Sequence, residues 1–65
     1  MNTSSKFQAG DRLRHLKTGG FYRVVGLAKI EATLEDVYVY EAVSNNTLWI
    51  RPKAEMEDGR FVTAN

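Results

Sequence analysis

The sequence contains no cysteine. Disulfide staples and thiolate metal sites are therefore excluded. It has one histidine, too few imidazoles for an ordinary zinc site, and no loop with the ligand spacing of an EF-hand. No serine sits in a nucleophile motif, and the "TGG" at Thr18–Gly20 is too short to cradle phosphates. No metal and no cofactor are predicted. Charge of neither sign dominates: nine Lys and Arg face eight Asp and Glu, a formal net charge of +1. Wrapping duplex DNA calls for a basic excess or stripe, so bulk phosphate binding is not the default expectation. Apolar runs fall far short of the roughly 20 residues of a membrane span, and no hydrophobic segment follows "MNTSSK". Neither a membrane helix nor a signal peptide is expected, and the expected location is the cytoplasm.

What remains is short. A chain of 65 residues makes one domain, and at this size only roughly 60% of the unfolded surface is buried. Without staples, a thin core is usually completed by compact β packing or by self-association, so a homo-oligomer is expected.

The sequence is punctuated like a small β protein. Residues 1–8 are predicted to form a flexible tail with Phe7 as an anchor, and residues 9–65 a single small β-barrel domain. Arg12 to Lys17 alternates apolar and polar residues, the period of a half-buried strand. Thr18-Gly19-Gly20 reads as a hairpin turn. Phe21 to Ile30 is rich in aromatic and β-branched residues, and Gly26 in its middle predicts a bulge that bends the sheet. "EATLED", Glu31 to Asp36, reads as a connecting loop with one helical turn. Val37 to Val43 and Leu48 to Arg51 are strands around a turn at Ser44–Thr47. Pro52 has no N–H and ends the ladder. "KAEME" reads as a helical turn, and Arg60-Phe61-Val62 as a last short strand. The fold class predicted is mainly β: a small barrel or strongly bent antiparallel sheet of four to five strands, with one short helical turn.

Centring the last hairpin on Asn45-Asn46 places Ala42 opposite Trp49 and Tyr40 opposite Arg51. Alternation then puts Val37, Val39, Val43, Leu48 and Ile50 on one face, the expected core face, interrupted by Glu41. Tyr38, Tyr40, Ala42, Trp49 and Arg51 share the other. Flat rings beside a guanidinium suit a planar or anionic ligand.

Beyond these patterns, the stretch "RHLKTGGFYRVVGLAKIEATLEDVYVYEAVSNNTLWIRP" resembles a short bacterial and phage family, catalogued as domain of unknown function 1653. The resemblance covers about residues 10 to 61 and is carried by "VYVY", "WIRP" and "DGRF". Position by position it reaches His15, Lys17, Tyr22, Ala28, Glu31, Val39, Tyr40, Trp49, Arg51 and Pro52. The chain departs from the pattern in two places. The Lys-Gly step is stretched to Lys17-Thr18-Gly19-Gly20, and Glu57 stands where a Phe is usual, so the core must close differently, with Phe61. The resemblance implies a small SH3-like barrel and implies no activity.

Together these readings predict a non-catalytic binding module with a pocket formed by His15, Lys17, Tyr22, Glu31, Tyr40, Trp49 and Arg51. The expected ligand is a small polar or anionic molecule, such as a nucleotide or metabolite, bound in a sequestering or regulatory role. A His15–Glu31 general acid–base pair is the weaker, catalytic reading. Two other classes compete. A single-stranded nucleic-acid module would use Arg12, Arg14, Lys17, Arg23 and Lys29 as a groove, blunted by Glu31, Glu35, Asp36 and Glu41. A protein-interaction module would grip a partner segment with Trp49 and the tyrosines. Each residue also has a structural role open to it: His15 satisfying the turn backbone, Glu31 in a surface ion pair, and the tyrosines in packing.

Overall fold

The computed structural model describes residues 5–64. Five antiparallel strands form one sheet: β1 (Arg12–His15), β2 (Phe21–Lys29), β3 (Asp36–Ala42), β4 (Leu48–Pro52) and β5 (Phe61–Thr63). Their order across the sheet is β4-β3-β2-β1-β5. A short helix, α1 (Lys53–Glu55), follows β4 and continues through a wider helical turn, Met56–Arg60. That turn leads into β5 through Gly59, whose φ of +107° suits glycine. The chain is thus mainly β, in the form of a bent open sheet. The expected tail falls partly on residues 1–4, outside the described residues. Phe7 is buried.

The sheet curls because β2 carries one extra residue. Val24 pairs with Tyr40 but Gly26 with Val39, leaving Val25 as the bulge. A bulge adds local twist and bend. The extent of the curl can be read from the rings. Tyr40 in β3 and Phe61 in β5 are three strands apart in the sheet order, yet their ring centroids lie 5.7 Å apart. A flat sheet would separate those strands by roughly 14 Å. Arg51 in β4 and Phe61 in β5 belong to opposite edge strands, and the guanidinium still lies 6.0 Å from the ring centroid. The two edges therefore approach each other, joined at this point by side chains.

The core lies inside the curl. It comprises Phe7, Leu13, Val24, Tyr38, Tyr40, Met56 and Phe61, with Tyr22 packed against them. Cross-strand rungs place Leu13, Tyr22 and Ala42 in one inner row, and Val24, Tyr40 and Trp49 in the next. This inverts the expected faces. The tyrosine row is the inner one, and Leu48 and Ile50 of the expected core row are exposed, at 62% and 60%. Val37 alone of that expected row is fully buried. The energetics favour this arrangement. Tyrosine rings bury large areas, and their hydroxyls find partners: Tyr38 donates to Glu57 and Tyr40 accepts from Arg51. The other choice would bury the Glu41 carboxylate.

The last hairpin is also shifted by two residues from its expected register. Tyr40 pairs with Trp49 and Tyr38 with Arg51. A two-residue type I′ turn on Asn45-Asn46 would need positive φ at both positions, but only Asn46 has it, at +60°. The loop instead takes in Val43 and Ser44. It closes through Ala42 N–H to Thr47 O and Asn46 N–H to Ala42 O, with the Asn45 side chain accepting from Thr47 N–H. A shift of two preserves which side chains share a face.

Where the family pattern has Phe, Glu57 forms a polar clasp. Its carboxylate accepts from the Tyr38 hydroxyl at 2.5 Å, from Lys6 N–H at 2.9 Å and from Lys53 at 3.3 Å. The Tyr38 hydroxyl in turn accepts from Phe7 N–H at 3.1 Å. Met56 and Phe61 supply the apolar closure, both fully buried.

Candidate functional site

Most of the expected site residues gather at one end of the inner face. Tyr22, Tyr40 and Phe61 form a mutual edge-to-face cluster with centroids 5.4–5.8 Å apart, a favoured geometry for aromatic quadrupoles. His15 stacks edge-on against Phe61 at 4.7 Å, because the β1–β5 rung puts these two opposite each other. Arg51 reaches across this cluster. Its Nε donates to the Tyr40 hydroxyl at 3.4 Å, and an Nη donates to Glu55 at 3.3 Å. The Tyr40 contact first, then the nearby carboxylates Glu55 and Asp58, push its pKa up against the effect of burial. Arg51 is therefore a fixed cation.

Two cavities meet at this arginine. The larger, about 590 Å³, is lined by His15, Leu16, Lys17, Arg51 and Arg60. The smaller, about 170 Å³, is lined by Tyr22, Tyr40, Trp49 and Arg51. Trp49 stands at the mouth of the smaller cavity, half exposed, on the same rung as buried Tyr40. Six of the seven expected residues thus line one cavity or the other. The exception is Glu31. It lies in the β2–β3 connection, exposed, beyond the Lys29–Asp36 rung, and borders neither cavity.

The stretched first hairpin explains the place of His15. Gly19 adopts φ +77°, and the loop closes through His15 N–H to Gly20 O and Gly19 N–H to His15 O. His15 Nδ1 accepts from Thr18 N–H at 3.2 Å. This bond assigns the neutral ring proton to Nε2 and ties the side chain to the turn.

Arg60 is not among the expected site residues. It lines the larger cavity while bonded to Asp58 and Glu55, and Glu55 bridges it to Arg51. "DGRF" held the only sequence signal, and nothing local to it indicated that Arg60 would meet Arg51. The basic groove divides. Arg12, Arg14 and Arg23 share the outer face with Phe21 through the rungs Arg12–Arg23 and Arg14–Phe21. Lys17 belongs to the inner cavity, and Lys29 pairs with Asp36 at 2.6 Å.

These observations can be set beside known proteins. A family model described as a protein of unknown function (DUF1653) matches residues 11–58. The chain belongs to that family. No curated protein and no solved structure gives a significant match. The aromatic and cationic site thus sits almost wholly inside the DUF1653 region; Arg60 and Phe61 lie just beyond it. No helix among the described residues is long and apolar enough to cross a membrane.

Proposed function

We propose that this DUF1653 protein is a cytoplasmic binding module for a small anionic molecule that carries a planar group, with a nucleotide as the representative ligand. One observation carries the reading: a cavity lined by His15, Lys17, Arg51 and Arg60 shares Arg51 with an aromatic pocket that ends at Trp49. Lys17, Arg51 and Arg60 supply cations that suit phosphate or carboxylate, and guanidinium forks onto either. An exposed indole offers a stacking surface for a base, worth roughly 1–3 kcal/mol. Binding, rather than turnover, is the reading because Glu31 stands apart from His15. The role would be to sequester or sense the ligand in a bacterial or phage setting.

The test is a titration of mononucleotides followed by Trp49 fluorescence. Quenching is expected, with affinity falling roughly tenfold or more in Arg51→Ala, as for loss of a charged hydrogen bond. Unchanged fluorescence with every nucleotide and small metabolite carboxylate would end the reading. A second reading is favoured by the outer row of Arg12, Arg14 and Arg23 beside Phe21. If tight binding is seen only with single-stranded oligonucleotides, with a steep salt slope and loss in Arg23→Ala, the nucleic-acid module takes precedence.

A further inference from the structure

β4 is an edge strand, and its first three residues, Leu48, Trp49 and Ile50, are 62%, 51% and 60% exposed. A run of exposed apolar residues on an open edge is what natural β proteins ordinarily avoid by charge, proline or cover. Pro52 guards only the far end, where Arg51 bridges to Phe61. The backbone pattern shows what the open stretch offers. Ala42 N–H donates to Thr47 O. Bonded rungs alternate along an antiparallel pair, so Tyr40–Trp49 and Tyr38–Arg51 are the next bonded rungs. The N–H and C=O groups of Leu48 and Ile50 therefore point away from β3, to the open side.

We infer that this edge pairs with the same edge of a second copy, antiparallel, about a two-fold axis through Trp49. In that register Leu48 lies opposite Ile50 of the other copy, and each such pair exchanges two backbone hydrogen bonds. Both outward donors and both outward acceptors of each copy are satisfied. Trp49 meets Trp49 of the second copy in a non-bonded rung, on the cavity side of both sheets. Charge favours this edge over the outer face of β1 and β2. No charged side chain lies in Thr47–Ile50, whereas self-association through the outer face of β1 and β2 would bring Arg12, Arg14 and Arg23 against themselves. The axis also closes the assembly. Each copy uses its only open β4 edge, and the opposite edge, β5, is three residues long. A 65-residue chain with no cysteine gains from this the additional burial that its thin core does not supply. Pairing of this edge requires no ligand.

The test uses the full chain in sedimentation equilibrium over a wide concentration range. The mass is expected to rise from 7.4 kDa toward twice that value, and to stay monomeric in Ile50→Lys, with circular dichroism confirming the fold. Single-cysteine variants test the register, since the chain has no other thiol. A non-bonded rung sets Cα atoms about 4.5 Å apart, within disulfide range. Trp49→Cys should therefore oxidise to a covalent dimer faster than Leu48→Cys or Ile50→Cys. A monomer at all concentrations, a dimer untouched by Ile50→Lys, or faster cross-linking at Leu48 than at Trp49 would each overturn the inference. If nucleotide binding persisted in such a monomer, only the dimer would be lost.

Discussion

Tyr38 and Glu57 show how one polar pair can stabilise a thin core. Tyr38 is fully buried, yet its hydroxyl both accepts from Phe7 N–H and donates to Glu57. Tyr38→Phe keeps the ring and removes both bonds, which leaves a buried N–H without its partner. A loss of about 1–3 kcal/mol is expected in urea unfolding. The same contact has a signature in pH. Burial raises the Glu57 pKa, but the Tyr38 hydroxyl, Lys6 N–H and Lys53 outweigh it and leave the carboxyl below its usual 4.5. A depressed carboxylate contributes stability that is present above its unfolded pKa and lost as pH falls through the folded one. Tyr38 moves the other way: burial, then Glu57, raises it above 10.0. Its contribution is present below pH 10 and is lost as pH rises through the raised value. Melting temperature should therefore fall below about pH 4.5 and again above about pH 10. Glu57→Gln should flatten the acid limb.

At the scale of elements, the turns carry most of the avoidable strain. The β2–β3 connection closes through Leu34 N–H to Ile30 O and Ile30 N–H to Glu35 O, and it holds Leu34 at φ +63° with its side chain exposed. A left-handed conformation costs a residue with a Cβ roughly 1–2 kcal/mol. Leu34→Gly should raise the unfolding free energy by about 1 kcal/mol, and Gly19→Ala, at φ +77°, should lower it by a similar amount. These turns also mark how far the sequence could be read. Period-two alternation and Gly26 located the strands and the bulge, since both are local signals. The facing of β3 was legible as a partition and not as a direction. Apolarity ranked Leu48 and Ile50 above Tyr38 and Tyr40, while the deciding terms were the Glu41 charge and partners for the tyrosine hydroxyls. Those partners, Glu57 and Arg51, come from other elements. The candidate site was legible in the same measure. Trp49, Tyr40 and Arg51 follow from one hairpin, but Arg60 and the isolation of Glu31 depend on how the sheet curls.

For the whole molecule, Phe61 is where the curl is held. It touches Tyr22, Tyr40, His15 and Arg51, which come from four different strands. Truncating a buried Phe costs about 3–5 kcal/mol, a large share of the roughly 5–15 kcal/mol that holds a domain together. Phe61→Ala is expected to be largely unfolded by circular dichroism at room temperature. Phe61→Leu should stay folded, with a lower melting point and weaker quenching of Trp49 by the proposed ligand.

The strand order adds a consequence for the timing of folding. β1 through β4 are joined in sequence by hairpins, each nearest its neighbour in the chain, whereas β5 crosses back to pair with β1 through His15–Phe61 and Leu13–Thr63. Closing so long a loop is slow relative to hairpin formation. The early meander can bring Trp49 beside Tyr40, but His15 and Arg51 acquire their shared ring only when the last strand arrives. In refolding experiments, ligand capture should therefore lag the first rise of β structure and keep step with the docking of β5.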